Sequence, residues 1–213
     1  MRSHLVIEPG WCYTIAMYKR HWKRALDVFL SLTALIILLI PGALIALWIK
    51  RDSKGPVFFR QKRVGRGKAY FMILKFRTMR VDAPKDVPTH LLSDPYAFIT
   101  RSGRFLRKTS LDELPQLINI LRGEMSFVGP RPALWNQFDL IARRDEEGVS
   151  GLRPGLTGWA QVNGRDELPI EVKARFDGEY ARNLCFLLDV KCVLRTLRDA
   201  FRGEGVVEGS KSR

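Results

Sequence analysis

Val28 to Ile49 is a run of 22 residues without a single charged side chain. As a helix rising about 1.5 Å per residue it would measure about 33 Å, enough for a bilayer core of roughly 30 Å. It is too long and begins too late for the apolar region of a secretory signal, and no small-x-small cleavage site follows it. The segment therefore predicts a membrane-bound chain. Lys19, Arg20, Lys23 and Arg24 flank one end, and Lys50, Arg51, Lys54, Arg60, Lys62, Arg63, Arg66 and Lys68 follow the other. Moving either cluster outward runs against the positive-inside tendency. Two topologies stay open: a kinked span with its C-terminal side cytoplasmic, or a re-entrant segment that returns to the face it entered. Pro41 is the expected break, because its ring clashes with the Ile37 carbonyl and Gly42 relaxes the backbone beside it. Asp27, four residues after Lys23, reads as a local ion pair or a helix-packing contact.

The net charge of +14 is concentrated. Residues 50 to 110 carry 16 Lys and Arg against 4 Asp and Glu, directly after the apolar run. A polyanionic partner follows, whether anionic lipid, phosphorylated substrate or nucleic acid. Cys12, Cys185 and Cys192 have no metal-ligand spacing and are odd in number, so reduced thiols in a cytoplasmic environment fit best. Cys185 and Cys192 are expected to share one helix face as small apolar side chains. A chain of 213 residues is long enough for one catalytic domain with an appendage.

Beyond the apolar run, residues 55 to 60 and 69 to 76 read as strands of a small hairpin around the Val64 to Lys68 turn. Residues 82 to 96, with three prolines, read as a surface loop. From Leu111 onward, Leu114, Leu117, Ile118 and Leu121 mark one face of an amphipathic helix. Val128-Gly129-Pro130-Arg131-Pro132 is a rigid turn that fixes the path of one arginine. A glycine-punctuated loop runs from Gly151 to Arg165, in which Asn163-Gly164 is a hairpin signal and Arg153 and Arg165 either enter a pocket or are solvated. The last predicted helix, about 187 to 202, sets Val190, Val193, Leu194, Leu197 and Phe201 against Lys191, Arg195, Arg198 and Arg202. It either lies on an anionic bilayer or packs on the core with a solvated basic face.

Asp112 and Glu113 are the chemical signal, a carboxylate pair directly after the most cationic stretch. Ser110 and Glu113 fit a capping box, which would make Glu113 merely a helix-start residue. Pro115 crowds that first turn, however, and an ionised aspartate there can act as a nucleophile or bind a metal ion.

Taken in order, several segments resemble one family over about residues 19 to 207: Lys23-Arg24-Ala25-Leu26-Asp27, Gly55 to Gln61, Lys75-Phe76-Arg77-Thr78-Met79, Ser110 to Gln116, Val128 to Pro132 and Gln161 to Arg165. The chain resembles the bacterial sugar transferases, monotopic phosphoglycosyl transferases of the small single-domain type. That resemblance implies an enzyme of the bacterial inner membrane, at its cytoplasmic face. Such an enzyme moves a sugar 1-phosphate from a nucleotide diphosphate sugar, usually a UDP-sugar, to polyprenyl (undecaprenyl) phosphate, releasing UMP and starting glycan or exopolysaccharide assembly.

It implies Asp112 as nucleophile and metal contact, Glu113 as its partner in the dyad, Mg2+ as cofactor, and a re-entrant membrane helix broken at Pro41. By the same resemblance Lys75, Arg77, Arg107 and Arg131 surround phosphate oxygens, with Arg153 and Arg165 as weaker members of that set. Ile40 departs from the polar residue that relatives often place before the proline. The expected fold is α+β and mostly helical, with the re-entrant helix, the hairpin and interfacial amphipathic helices. The expected organisation is an extension over 1–18, a membrane segment over 19–50, a cytoplasmic domain over 51–207 and a polar tail. Met17 would be a natural start for the domain.

An inactive membrane scaffold would keep the fold without turnover, and the intact dyad argues against it. A nucleic-acid-binding membrane protein would explain the charge but not the acidic pair, so no nucleic-acid partner is expected. Sugar identity, glycan pathway and homodimerisation stay open.

Overall fold

The computed structural model describes residues 17–84, 94, 96–164 and 168–202, with side chains described as far as residue 200. The chain is α+β and mostly helical. A π-helical turn, Tyr18–Trp22, leads into α1 (Lys23–Ile37), followed by α2 (Leu39–Asp52). Next come the strands β1 (Phe58–Val64) and β2 (Tyr70–Phe76), then α3 (Arg101–Lys108), a 3-10 turn at Leu111–Glu113, and α4 (Gln116–Leu121). The remainder comprises β3 (Ser126–Val128), α5 (Phe138–Glu146), β4 (Gly155–Thr157), α6 (Ile170–Asn183) and α7 (Phe186–Arg202).

The apolar run is broken three residues earlier than its proline. Leu38 takes φ −87° and ψ 5° between the two helices, its N–H donating to Ala34 O and its carbonyl accepting from Gly42 N. Pro41 thus sits in the first turn of α2, where a missing N–H costs least, and the bend falls where its ring would otherwise meet Ile37. Among the described residues no single helix is long and apolar enough to cross a membrane. Tyr18–Ile37 and Leu39–Asp52 reach that length and composition together, bent by 62°. Around the elbow Ile36, Ile37, Leu39 and Ile40 are 69, 68, 72 and 73 % exposed, an apolar exterior that water does not favour.

The hairpin is antiparallel, with Phe58 opposite Phe76 and Val64 opposite Tyr70, so β1 runs further than the sequence pattern indicated. Alternation puts Phe71 and Ile73 against Leu117 and Ile120 of α4, and Ala34 and Leu35 of α1, with Leu38 at the break, close over this cluster. Phe76 on the other hairpin face packs with Ile49 of α2 and Leu106 of α3. The helix expected to start at Leu111 is split: Pro115 separates the 3-10 turn from a short α4. Asn119, which periodicity did not single out, is fully buried and ties α4 to β2, accepting from Leu74 N and donating to Met72 O.

Asn163-Gly164 does not form a hairpin. β4 pairs in parallel with β3, and Asn163 ends a 3-10 turn. Close approach explains the glycines here, since a Cβ on Gly155 would lie 2.1 Å from Gly129 N. On α7 the face marked by Val193, Leu194 and Leu197 does not pack on the core, the second of the two placements that its pattern left open. Asp189 and Cys192 are buried, whereas Val193, Leu194 and Leu197 point outward. Cys185 precedes the helix rather than sharing its buried face.

Both ends of the bent pair are bonded into the same body. At the start of α1, Lys23 Nζ lies 2.5 Å from Asp189 of α7, which also accepts from the Tyr18 and Tyr180 hydroxyls. Asp27 makes the packing contact, accepting from Ser126 Oγ and Phe127 N, and Arg24 caps α4 by donating to the Ile120 and Leu121 carbonyls. At the end of α2, Asp52 accepts from Ser102 N and Oγ of α3. Cys12, Arg165 and most of the expected 82–96 loop lie outside the described residues.

Candidate active site

Lys75 extends the row of Phe71 and Ile73 to the end of β2, so the strand that builds the core also delivers a cation to its edge. Opposite it, α3 ends at Lys108 and Ser110 turns the chain in a left-handed conformation, φ 56° and ψ 16°. The tight turn that follows presents Asp112 and Glu113 together. The Ser110 side chain makes no capping bond, and Glu113 accepts from Lys75 instead. Lys75 Nζ lies 2.6 Å from Glu113 Oε1 and 3.7 Å from Asp112 Oδ2, and Arg131 Nη1 lies 3.6 Å from Glu113 Oε1. The capping-box reading therefore fails for a tertiary reason: Lys75 and Arg131 take Glu113.

The two carboxylates are held unequally. Glu113 is bonded to Lys75, whereas Asp112 is buried yet makes no hydrogen bond with a described residue. Their acidities diverge accordingly. Burial alone would raise both. At Glu113 the attraction of Lys75 and Arg131 overcomes it and pulls the carboxyl down to about 2. At Asp112 burial prevails. The repulsion of Glu113 adds to it, and the attractions of Lys75, Arg107 and Arg131 offset it only in part, leaving the carboxyl above its ordinary range. Gln116, buried beside Glu113, turns its amide towards that carboxylate and helps to lower it, although its nitrogen falls short of full hydrogen-bond geometry. Sequence reasoning passed over this group, and its place in the Ser110 to Gln116 segment was the only signal.

Of the cations expected around phosphate, the structure brings Lys75, Arg107 and Arg131 to the dyad. Arg107 reaches Thr78 Oγ1 at 3.5 Å and acts on Asp112 through space. Arg131 is placed by the turn after β3, whose backbone is fixed by Arg144 donating to the Arg131 carbonyl and pairing with buried Asp177.

Arg77 is a correction. Its guanidinium is buried and donates to Pro56 O, Ser53 Oγ and Ser53 O, bracing the turn between α2 and β1. Arg77 follows Phe76, the last residue of β2, so the strand alternation that aims Lys75 no longer governs it. Arg153 likewise faces elsewhere, donating to Gly123 O beside Arg24 and Arg66. Pro41 lies in the bent pair and has no part in the site.

Two carboxylates, one of them without a hydrogen bond among the described residues, set among three cations can accept a phosphate ester and attack it. Among the described residues no cluster of three or more His, Cys, Asp or Glu is placed to cage a metal ion.

The profile described as "Bacterial sugar transferase" matches residues 18–203. The chain is 41% identical over 192 residues to "Uncharacterized sugar transferase EpsL" of Bacillus subtilis (strain 168), covering 86% of this chain and 89% of that one. It is 42% identical over 188 residues to "Undecaprenyl-phosphate glucose phosphotransferase" of Komagataeibacter xylinus, covering 83% of this chain and 35% of that protein. It is also 42% identical over 195 residues to "UDP-glucose:undecaprenyl-phosphate glucose-1-phosphate transferase" of Escherichia coli (strain K12), covering 84% of this chain and 40% of that protein. The chain thus matches nearly the whole of one relative and little more than a third of two longer ones. With the profile spanning nearly all of its length, this chain belongs to the bacterial sugar transferase family.

Proposed function

We propose that the protein transfers a sugar 1-phosphate from a nucleotide diphosphate sugar, of the UDP class, to polyprenyl phosphate. The observation that carries the reading is Asp112: buried, without a hydrogen bond to a described residue, and ringed by Lys75, Arg107 and Arg131. The names of the Komagataeibacter and Escherichia relatives, which specify undecaprenyl phosphate and glucose, support the acceptor class.

An Asp112 carboxylate oxygen attacks the β-phosphorus, forming an acyl phosphate. The bond from that phosphorus to the bridging oxygen breaks, and the nucleoside monophosphate leaves with the electron pair. A phosphate oxygen of the lipid then attacks the same phosphorus, giving polyprenyl diphosphate sugar and freeing the carboxylate. Glu113, with its carboxyl near 2, is a weak proton acceptor while Lys75 and Arg131 hold it. As those cations turn to bound phosphate, their hold on Glu113 loosens, its proton affinity rises, and it can take the proton of the incoming lipid phosphate.

The donor set suits magnesium, which keeps several waters and binds through one or two carboxylates plus substrate phosphates. Asp112 would hold it, and its charge would neutralise the diphosphate. The bent pair would enter and leave the cytoplasmic leaflet of the inner membrane on one side, a reading supported by its exposed apolar elbow and by the attachment of both its ends to one body.

The test is nucleoside monophosphate release by purified protein in nanodiscs, with magnesium, undecaprenyl phosphate and a panel of UDP-sugars. Asp112→Asn should lower release by at least about 10⁴-fold, the scale of loss for a missing nucleophile. Donor alone should give a parent-protein adduct at Asp112 by mass spectrometry. Full activity in Asp112→Asn would refute the mechanism.

A further inference from the structure

The C-terminal end of α2 and the first turn of α3 enclose an open cleft of about 330 Å³, lined by Trp48, Arg51, Asp52 and Arg101. Its acid is already engaged, since Asp52 Oδ2 accepts from Ser102 N at 2.8 Å and Ser102 Oγ at 2.7 Å. Neither Arg51 nor Arg101 makes a hydrogen bond or an ion pair within 4.0 Å with a described residue, and Arg101 acts on Asp52 only through space, helping to lower its carboxyl. Arg101 continues into an exposed row with Arg104, Phe105 and Lys108, one face of α3 at helical spacing. Phe105 packs on Trp48 with ring centroids 5.5 Å apart, joining the two walls.

The side chains along α2 are graded. Exposed Leu44 and Leu47 come first, then Trp48, then Arg51, over about 10 Å of helix rise. Acyl chain, glycerol backbone and phosphate follow one another in the same order at a bilayer surface, where aromatic rings and basic groups sit at headgroup level.

We propose that this cleft binds the phosphate of an anionic glycerophospholipid, held as a non-reacting lipid that fixes α3 against the membrane. The proposal rests on the reading of the bent pair as membrane-embedded. Charge selects the anionic class, because the two arginines lining the cleft outnumber its one carboxylate, and Arg104 and Lys108 extend the basic face beside it. The site is separate from the one that takes the reacting lipid. Lys75, Arg107 and Arg131, which ring Asp112, do not line the cleft, and Arg107 turns off the exposed face of α3 towards Thr78.

The full chain in nanodiscs of phosphatidylcholine with about a third phosphatidylglycerol would be extracted and its retained lipid weighed by native mass spectrometry. Retention should favour phosphatidylglycerol. That preference should fall about fivefold in Arg51→Gln and roughly thirtyfold in Arg51→Gln with Arg101→Gln, the scale of one and two lost basic contacts at an anionic surface. Monophosphate release in detergent should stay within about twofold of the parent. Equal retention of both lipids, or an unchanged preference in the double variant, would overturn the proposal. One-for-one displacement of phosphatidylglycerol by polyprenyl phosphate would also overturn it, by making the cleft the acceptor site. Protein recovered outside the discs would instead defeat the membrane reading beneath it.

Discussion

Asp112 and Glu113 are neighbours in the chain, yet Lys75 bonds one and leaves the other without a hydrogen bond among the described residues. The depressed carboxyl of Glu113 contributes stability above the ordinary Glu range, which is lost as pH falls through that range towards about 2. The raised carboxyl of Asp112 acts oppositely, its ionisation costing stability as pH rises, so the ionised form that the proposed attack needs is kept at an expense to the fold. Because Lys75 is the leading attraction that lowers Asp112, Lys75→Met should move the acid limb of kcat/KM to higher pH, and Lys75→Arg should move it less. An unmoved limb would mean that Asp112 does not control it.

The contrast between Arg77 and Arg131 makes a second prediction. Arg77→Ala strands the Ser53 and Pro56 carbonyls and should lower the thermal midpoint by roughly 5 °C, whereas Arg131→Ala should leave the midpoint within about 2 °C and lower kcat/KM by about 10²-fold. The Lys75 to Met79 segment was legible as important. Which of its two cations faces the dyad was not, because that depends on where β2 stops.

At the scale of elements, helices and strands were legible where a local pattern sufficed. The hairpin alternates in the chain, and α7 begins within a residue of its expected start. Boundaries set by the backbone next to proline shifted: the bend moved from Pro41 to Leu38, and Pro115 cut short the helix expected from Leu111. Beside the Lys23 and Arg24 contacts, α1 is docked through Asp27, whose Oδ1 accepts at 3.1 Å from Ser126 Oγ and at 3.0 Å from Phe127 N. Asp27→Ala would leave a backbone N–H without its partner. It should cost about 2 kcal/mol, a fall of roughly 4–8 °C in thermal unfolding in detergent, while added Mg2+ and donor should recover part of the loss by mass action.

At the scale of the whole molecule, the bent pair leaves the body near Asp189 and returns to it near Ser102. Cysteines placed at Lys19 and at Lys54 should both stay unlabelled by an impermeant maleimide in intact cells, and both become labelled in inside-out vesicles. Labelling from opposite faces would establish a true span.

What the sequence by itself determined were properties carried by contiguous residues: an uncharged run long enough for lipid, a concentration of cations after it, and a carboxylate pair beside them. What only the tertiary structure decided were partnerships. Asp189 meets Tyr18 across 171 residues, Asp27 meets Phe127 across 100, and Lys75 meets Glu113 across 38. Periodicity and charge density are local quantities. The energy of a buried charge depends on which distant group the packed core sets against it, so the ionisation of the dyad was settled by the fold.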